Sequence, residues 1–283
     1  MVHIQKSLNL GKPYHKIVMT GSSLMLVSTG CPGLDVMLNG GLIPSRPYIV
    51  CGPPGSGKTT LAIQFLLEGL KNNERVLYVT LDEPPNELRD NLRSFGWKLD
   101  DIYIFDAIPD IMIYEKTPIK DISSVREIVQ LKYLPESIRK TDEFKPVNVT
   151  FNAIQQTLKQ EMVYRRYDRI VIDSVTGLKY FTMRSFDINL GIQSFLRFLS
   201  ELKVTSLLIV ETPEKINELE PEIFLARGVI YLHRIRANNG TTYAVTIKKY
   251  RGANHDIKTR PFRITRKGIE VYPDHEIIEE AIK

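Results

Sequence analysis

The run Gly52-Pro53-Pro54-Gly55-Ser56-Gly57-Lys58-Thr59 fits the pattern G-x-x-x-x-G-K-[ST] at every position. The apolar stretch Tyr48-Ile49-Val50-Cys51 leads into it. Residues Lys58 to Lys71 follow, with Leu61, Phe65, Leu66 and Leu70 at helical spacing. A buried strand, a glycine-rich turn and a helix in that order leave few folds open. Glycines let backbone N–H groups turn inward on an anion with no Cβ in the way. The helix presents its positive end to the same anion. Lys58 has the reach to meet β- and γ-phosphates as a point charge, and the Thr59 hydroxyl suits a Mg²⁺ ion. The run therefore predicts a site for ATP with Mg²⁺.

The rest of the chain repeats the alternation. Arg75 to Leu81, Ile102 to Phe105, Arg169 to Asp173 and Ser206 to Val210 read as short buried strands. Between them lie helical patterns. Pro84 and Pro85 open one with Leu88, Leu92 and Phe95 on a face, and Gly96 fits its end. Thr150 caps another carrying Ile154, Leu158 and Met162, and Ile188 to Leu202 forms a third. This order predicts an α/β fold with a mostly parallel twisted sheet flanked by helices. After Gly228 the pattern changes. Val229 to Arg236 and Thr242 to Lys249 flank Asn238-Asn239-Gly240, a hairpin signal. A second hairpin is expected to turn near Lys267-Gly268, so the sheet should end in antiparallel strands. Residues 109–149, with Pro109, Pro118, Pro135 and Pro146, fit the alternation poorly and read as an insertion.

Acids at strand ends supply the remaining chemistry. Asp173 closes an apolar strand and could hold Mg²⁺ through a water. Asp82 and Glu83 follow the strand after the P-loop helix, near the edge where ligands of such sheets bind. One of them can orient and deprotonate a water near a γ-phosphate. Adjacent side chains in extended chain point opposite ways, so only one of the pair is expected to reach it.

Charge is uneven along the chain. Between residues 233 and 267, ten bases (Arg234, Arg236, Lys248, Lys249, Arg251, Lys258, Arg260, Arg263, Arg266, Lys267) face the single acid Asp256. That segment carries +9, while the whole 283-residue chain carries 38 − 33 = +5. An anion is expected there: nucleic acid, nucleotide phosphate or an acidic neighbouring subunit. A hydrophobic content of 43% argues against global disorder. No apolar run approaches the roughly 20 residues of a membrane span, and Met1 to Thr20 lacks the apolar core of a secretory signal. A cytoplasmic protein with no membrane partner is the expectation. Cys31 and Cys51 cannot build a disulfide framework or a four-ligand zinc site and are expected to be buried apolar groups.

Taken together these residues resemble the KaiC-like family of the RecA/RadA superfamily of ATPases. Ser28-Thr29-Gly30-Cys31-Pro32-Gly33-Leu34-Asp35, then Leu38-Asn39-Gly40-Gly41, is similar to the family's lead-in. Val79-Thr80-Leu81-Asp82-Glu83, Arg93-Ser94-Phe95-Gly96-Trp97, Asp173-Ser174-Val175 and Lys249-Tyr250-Arg251-Gly252-Ala253-Asn254-His255 match further family motifs. The match covers most of residues 28–273 as one ATPase domain, with 1–27 as an extension and 274–283 as a tail.

The resemblance implies nucleotide bound between neighbouring subunits, usually of a hexameric ring. Gly52, Pro53, Pro54, Gly55, Ser56, Gly57, Lys58, Thr59 and Thr60 would form the phosphate side, with Ser94 also facing the nucleotide. Glu83 would be the base for water and Asp82 its partner; Thr59 and Asp173 would hold the metal. From the next subunit Lys249 and Arg251 would reach the γ-phosphate, with Tyr250 beside them and His255 and Thr265 near ribose and base. The chain departs from the pattern at Arg266, where relatives can carry an acid, at Arg227, which stands near a position often acidic, and in the length of 109–149. It has one ATPase core and no recognisable phosphosite tail, so a clock role is not implied.

Three functions compete. The first is a slow, ring-forming ATPase. The second is a recombinase paralogue that binds single-stranded DNA. It draws on the basic segment and on the loop Lys179-Tyr180-Phe181-Thr182-Met183-Arg184, and is opposed by Glu218, Glu220 and Glu222. The third is a non-hydrolysing switch read by a regulatory protein partner.

Overall fold

The computed structural model describes residues 25–107, 151–177, 185–212, 221–237 and 240–277. The insertion at 109–149, the loop 179–184, Thr150, Asn238-Asn239, residues 215–220 and the last residues of the tail lie outside these, as does most of the 1–27 extension.

Strand β1 (Pro47–Gly52) sits inside the sheet. It pairs in parallel with β5 (Thr205–Glu211) on one side and β6 (Gly228–Ala237) on the other. Beyond β5 come β4 (Arg169–Asp173), β2 (Val76–Thr80) and β3 (Tyr103–Asp106), all parallel. Beyond β6 the sheet turns antiparallel through β7 (Gly240–Tyr250), β8 (Arg260–Thr265) and β9 (Gly268–Val271). The order is β3-β2-β4-β5-β1-β6-β7-β8-β9. This is the expected α/β fold with terminal hairpins.

Apart from the edge strand β3, the parallel strands are largely apolar runs because both faces are covered. Successive side chains go to opposite sides. Tyr48, Val50, Tyr78, Val171, Leu207, Ile209, Ile230 and Leu232 enter one core. Ile49, Cys51, Leu77, Val79, Ile170, Ile172, Leu208, Val210 and Tyr231 enter the other. Helices α1 (Pro32–Met37), α2 (Lys58–Lys71) and α3 (Pro85–Leu92) close the first face. Helices α4 (Phe151–Tyr164), α5 (Ser185–Glu201) and the short α6 (Pro221–Leu225) close the second. The α3 helix runs on as a single 3-10 turn, Arg93–Phe95, and stops at Gly96 in a left-handed conformation. Both cysteines are fully buried, and burial raises the Cys31 thiol to about 11. Among the described residues no helix is long and apolar enough to cross a membrane.

Four sets of contacts fix the ends of the fold. Gln64, on α2, donates to the carbonyls of Gly30 (2.7 Å) and Ile269 (3.2 Å) and accepts from the Ile269 amide (2.8 Å). Asp35 accepts from the Ser28 and Thr29 hydroxyls at 2.6 and 2.7 Å and from the Thr29 amide, which fixes the lead-in. Gly33 is required by close approach: a Cβ there would stand 2.1 Å from the Val271 carbonyl of β9. The fourth centres on Arg169, 1% exposed. Its guanidinium pairs with Glu74, donates to the carbonyls of Ser28 (2.7 Å) and Phe65 (2.9 Å), and lies over the Phe65 ring.

The β6–β7 hairpin holds an irregularity the sequence does not announce. Val229 pairs with Lys249 but Ile230 pairs with Ile247, so Lys248 is an extra residue. Val245 and Ile247 face the core. Strict alternation would send Lys249 in after them and Tyr250 out. The bulge reverses this: Tyr250 is buried, with its hydroxyl donating to the Gly41 carbonyl at 2.7 Å, and Lys249 is turned off the core face.

Two outcomes follow. Arg169→Met, which strands Glu74 and two carbonyls, should lower unfolding free energy by about 3–5 kcal/mol in denaturant titration. Lys248→Ala should stay within about 0.5 kcal/mol of the parent in the same titration, because the bulge leaves that side chain exposed.

Candidate nucleotide-binding site

The P-loop leaves β1 at its C-terminal end and enters α2 at Lys58. Gly57 carries the turn at φ +93°, a left-handed value, and its Cα lies under Ile264 and Ile269 of the β8–β9 hairpin. The first helical bond runs from the Leu61 amide to the Gly57 carbonyl at 3.0 Å. The amides of the first turn therefore have no intrahelical acceptor and point to the loop. The Ser56 hydroxyl is fully buried there with no hydrogen-bond partner among the described residues. A buried donor left open beside unpaired amides suits an anion.

Lys58 is 6% exposed. Its ammonium spans the loop, donating to the carbonyls of Gly52 (3.0 Å) and Pro53 (2.9 Å), and stands 3.7 Å from Glu211 at the end of β5. Burial pushes its pKa down, and the Glu211 and Asp173 carboxylates oppose that. Thr59 donates from its hydroxyl to Asp173 Oδ2 at 2.8 Å. The same oxygen accepts from the Tyr78 hydroxyl at 2.6 Å. Burial raises the Asp173 carboxyl, while these two bonds lower it.

Asp82 and Glu83 lie at the C-terminal edge beside Asp173 and are held apart. Asp82 accepts from the Ser174 hydroxyl, and Glu83 accepts from the Asn91 amide of α3. The Thr80 hydroxyl closes the turn between them by donating to the Glu83 carbonyl. Desolvation is the main cause that raises both carboxyls above the usual range. Each acid thus has its own partner, and the chain that carries them bends after β2 rather than staying extended. Of the acids at this edge, Glu211 and Asp173 act on Lys58, while Asp82 and Glu83 are held by Ser174 and Asn91.

Among the described residues no group of three or more His, Cys, Asp or Glu is arranged to hold a metal. Thr59 and Asp173 offer two oxygen ligands. That donor set fits Mg²⁺, which takes one or two protein oxygens and completes its shell with phosphate oxygens and water.

The residues attributed to a neighbour occupy another region. Val229 lies level with Ile49, and Lys249 with Val229, so Lys249 stands toward the starting end of β1 while the P-loop leaves the finishing end. Lys249 donates to the carbonyls of Phe224 (2.7 Å) and Ile223 (3.3 Å) at the end of α6. Partial burial, then the nearby Arg251, lower its pKa. Arg251 is exposed; its amide donates to the Arg227 carbonyl. His255 meets the Tyr250 ring edge-on, and the Tyr250 side chain itself is spent on the core rather than offered to a ligand. Thr265 does not join this group. It sits on the hairpin packed over Gly57 of its own chain, donating to Glu270 at 3.1 Å. Ser94 is exposed on the 3-10 turn, and Thr60 is buried in α2.

Three side chains near the loop escaped the sequence reading. Arg234, one of the ten bases, reaches the Pro54 carbonyl at 3.4 Å. Glu211 is a strand-end acid like Asp173 and gave that signal. Tyr78 gave none, because a tyrosine in an apolar strand reads as core.

A profile of the family described as "ATPase: KaiC" matches residues 27–276. A UPF0273 protein of Thermotoga maritima is 31% identical over 259 residues, spanning 87% of this chain and 96% of that protein. The circadian clock protein KaiC3 of Synechocystis is 29% identical over 251 residues, 87% of this chain but 45% of that protein. The crystal structure of KaiC-like protein PH0186 from Pyrococcus horikoshii superposes with a TM-score of 0.66 at 28% identity, covering 88% of this chain and all of that one. With the family's profile spanning nearly the whole described chain and its fold reproduced, this protein belongs to the KaiC family of ATPases.

Proposed function

We propose that the protein binds ATP with Mg²⁺ at Gly52–Thr60 and hydrolyses it slowly, in a site completed by a second copy of the chain. The observation that carries this reading is the placement of Thr59 and Asp173, 2.8 Å apart, at the base of a loop already spanned by Lys58. Bound Mg²⁺ would supply charge neutralisation to the phosphates. Lys58 would exchange its bonds to the loop carbonyls for the β- and γ-phosphate oxygens. Glu83 would accept the proton of the attacking water as the oxygen–phosphorus bond forms and the β–γ bridge breaks. Asp82 would shape the water's surroundings.

Lys249 and Arg251 stand away from their own loop, which supports their delivery to a neighbour's site as in a ring. There they would stabilise charge on the transferring phosphoryl group. The single-stranded DNA reading is weaker on the same observations: within the basic segment Arg260 pairs with Asp256 and Lys258 with Glu276.

The test is ATP turnover per protomer, with Mg²⁺, across a wide range of protein concentration. Turnover per protomer should rise with concentration. Arg251→Ala should reduce it at least 100-fold, on the order of one lost charge contact in the transition state, while ATP binding at one protomer's loop survives. Lys58→Ala should abolish binding. Binding without turnover at any concentration would replace the ATPase with a nucleotide-gated switch.

A further inference from the structure

We propose that Tyr78 is a positioning residue for the metal-binding carboxylate, and that its hydroxyl sets how tightly the site holds Mg²⁺. This rests on the reading of Thr59 and Asp173 as the metal side of an ATP site. Tyr78 lies in β2 directly opposite Val171 of β4, and Asp173 is two residues further along the same face. Two residues of strand span about 6.6 Å, a distance that a tyrosine leaning along the strand bridges and a shorter side chain does not. The Tyr78 ring is 2% exposed and packed in the core beneath α2 and α3, so the hydroxyl is the one polar tip of a fixed body.

That tip donates to Asp173 Oδ2 at 2.6 Å, and Thr59 donates to the same oxygen at 2.8 Å. The residue directly opposite Asp173 is Thr80, and its hydroxyl is committed to the Glu83 carbonyl. Tyr78 is therefore the sheet's own contribution to orienting the carboxylate. Thr59 sits on α2 and would also be a metal ligand, so its hydroxyl answers to the ligand. Tyr78 would not. It holds one oxygen of Asp173 in place before metal arrives, and a carboxylate held in one orientation loses less freedom on binding. Packing alone would be served equally well by phenylalanine.

The experiment compares wild type with Tyr78→Phe, which keeps the ring and removes the hydroxyl. A fluorescent, non-hydrolysable ATP analogue is titrated in EDTA and then with increasing Mg²⁺. Mn²⁺ binding in the presence of ADP is followed by electron paramagnetic resonance. The expected result is a rise of about tenfold in the Mg²⁺ and Mn²⁺ concentrations at half saturation, the size of one hydrogen bond to a charged group. Analogue affinity in EDTA and the circular dichroism spectrum should be unchanged. Unchanged metal dependence would overturn the proposal. So would an equal loss with and without metal, or a variant that no longer folds, since each makes Tyr78 a packing residue. A wild-type protein that binds no analogue, or binds it equally with and without Mg²⁺, would instead remove the metal–ATP reading itself, and would do so before the variant is compared.

Discussion

Everything at the site hangs on the burial of β1 on both faces and both edges. Ile49 and Cys51 lie in one core, Tyr48 and Val50 in the other, with β5 and β6 hydrogen-bonded on either side. A strand fixed in that way delivers its last residue to one place. The loop that follows inherits that precision, and so do the strand ends beside it. Asp173 and Glu211 are placed by β4 and β5, which share the same ladder. A central parallel strand is thus the physical reason that a turn of small residues can hold a lysine in one conformation.

Charge at this edge is arranged in opposition. A buried ammonium is costly alone, and Lys58 offsets the cost with two carbonyls and a nearby Glu211. A buried carboxylate is costly alone too, and Asp173 has two hydroxyl donors. Each buried charge at this edge is thus compensated by groups of the chain itself.

Much of this was legible in the residues. The strand–turn–helix around Gly52–Thr59 was readable because its chemistry is local: glycines for the turn, helical spacing after it. The alternation of apolar runs was readable because both sheet faces are covered. What stayed hidden depends on pairings between distant segments. The bulge at Lys248 is defined only by its partner strand, and so the fate of Tyr250, read as a nucleotide contact and found with its side chain in the core, was beyond periodicity. The split between Lys249 and Thr265, both read as belonging to a neighbour, arises from how the second hairpin folds back over α2. Tyr78 is hidden for another reason: one atom of an ordinary core residue carries the contact.

The packing of α1 against β9 has a consequence for how the chain is made. Gly33 touches Val271, and Gln64 is bonded to Ile269, so the outer cover of α2 comes from residues synthesised more than 200 positions later. At ribosomal speeds of roughly 5–20 residues per second, that face waits on the order of ten seconds or more after its own helix emerges. Through that interval the nascent chain lacks the cover that β8 and β9 lay over α2. The contacts of Gly33 with Val271 and of Gln64 with Ile269 can therefore form only after β9 has been synthesised.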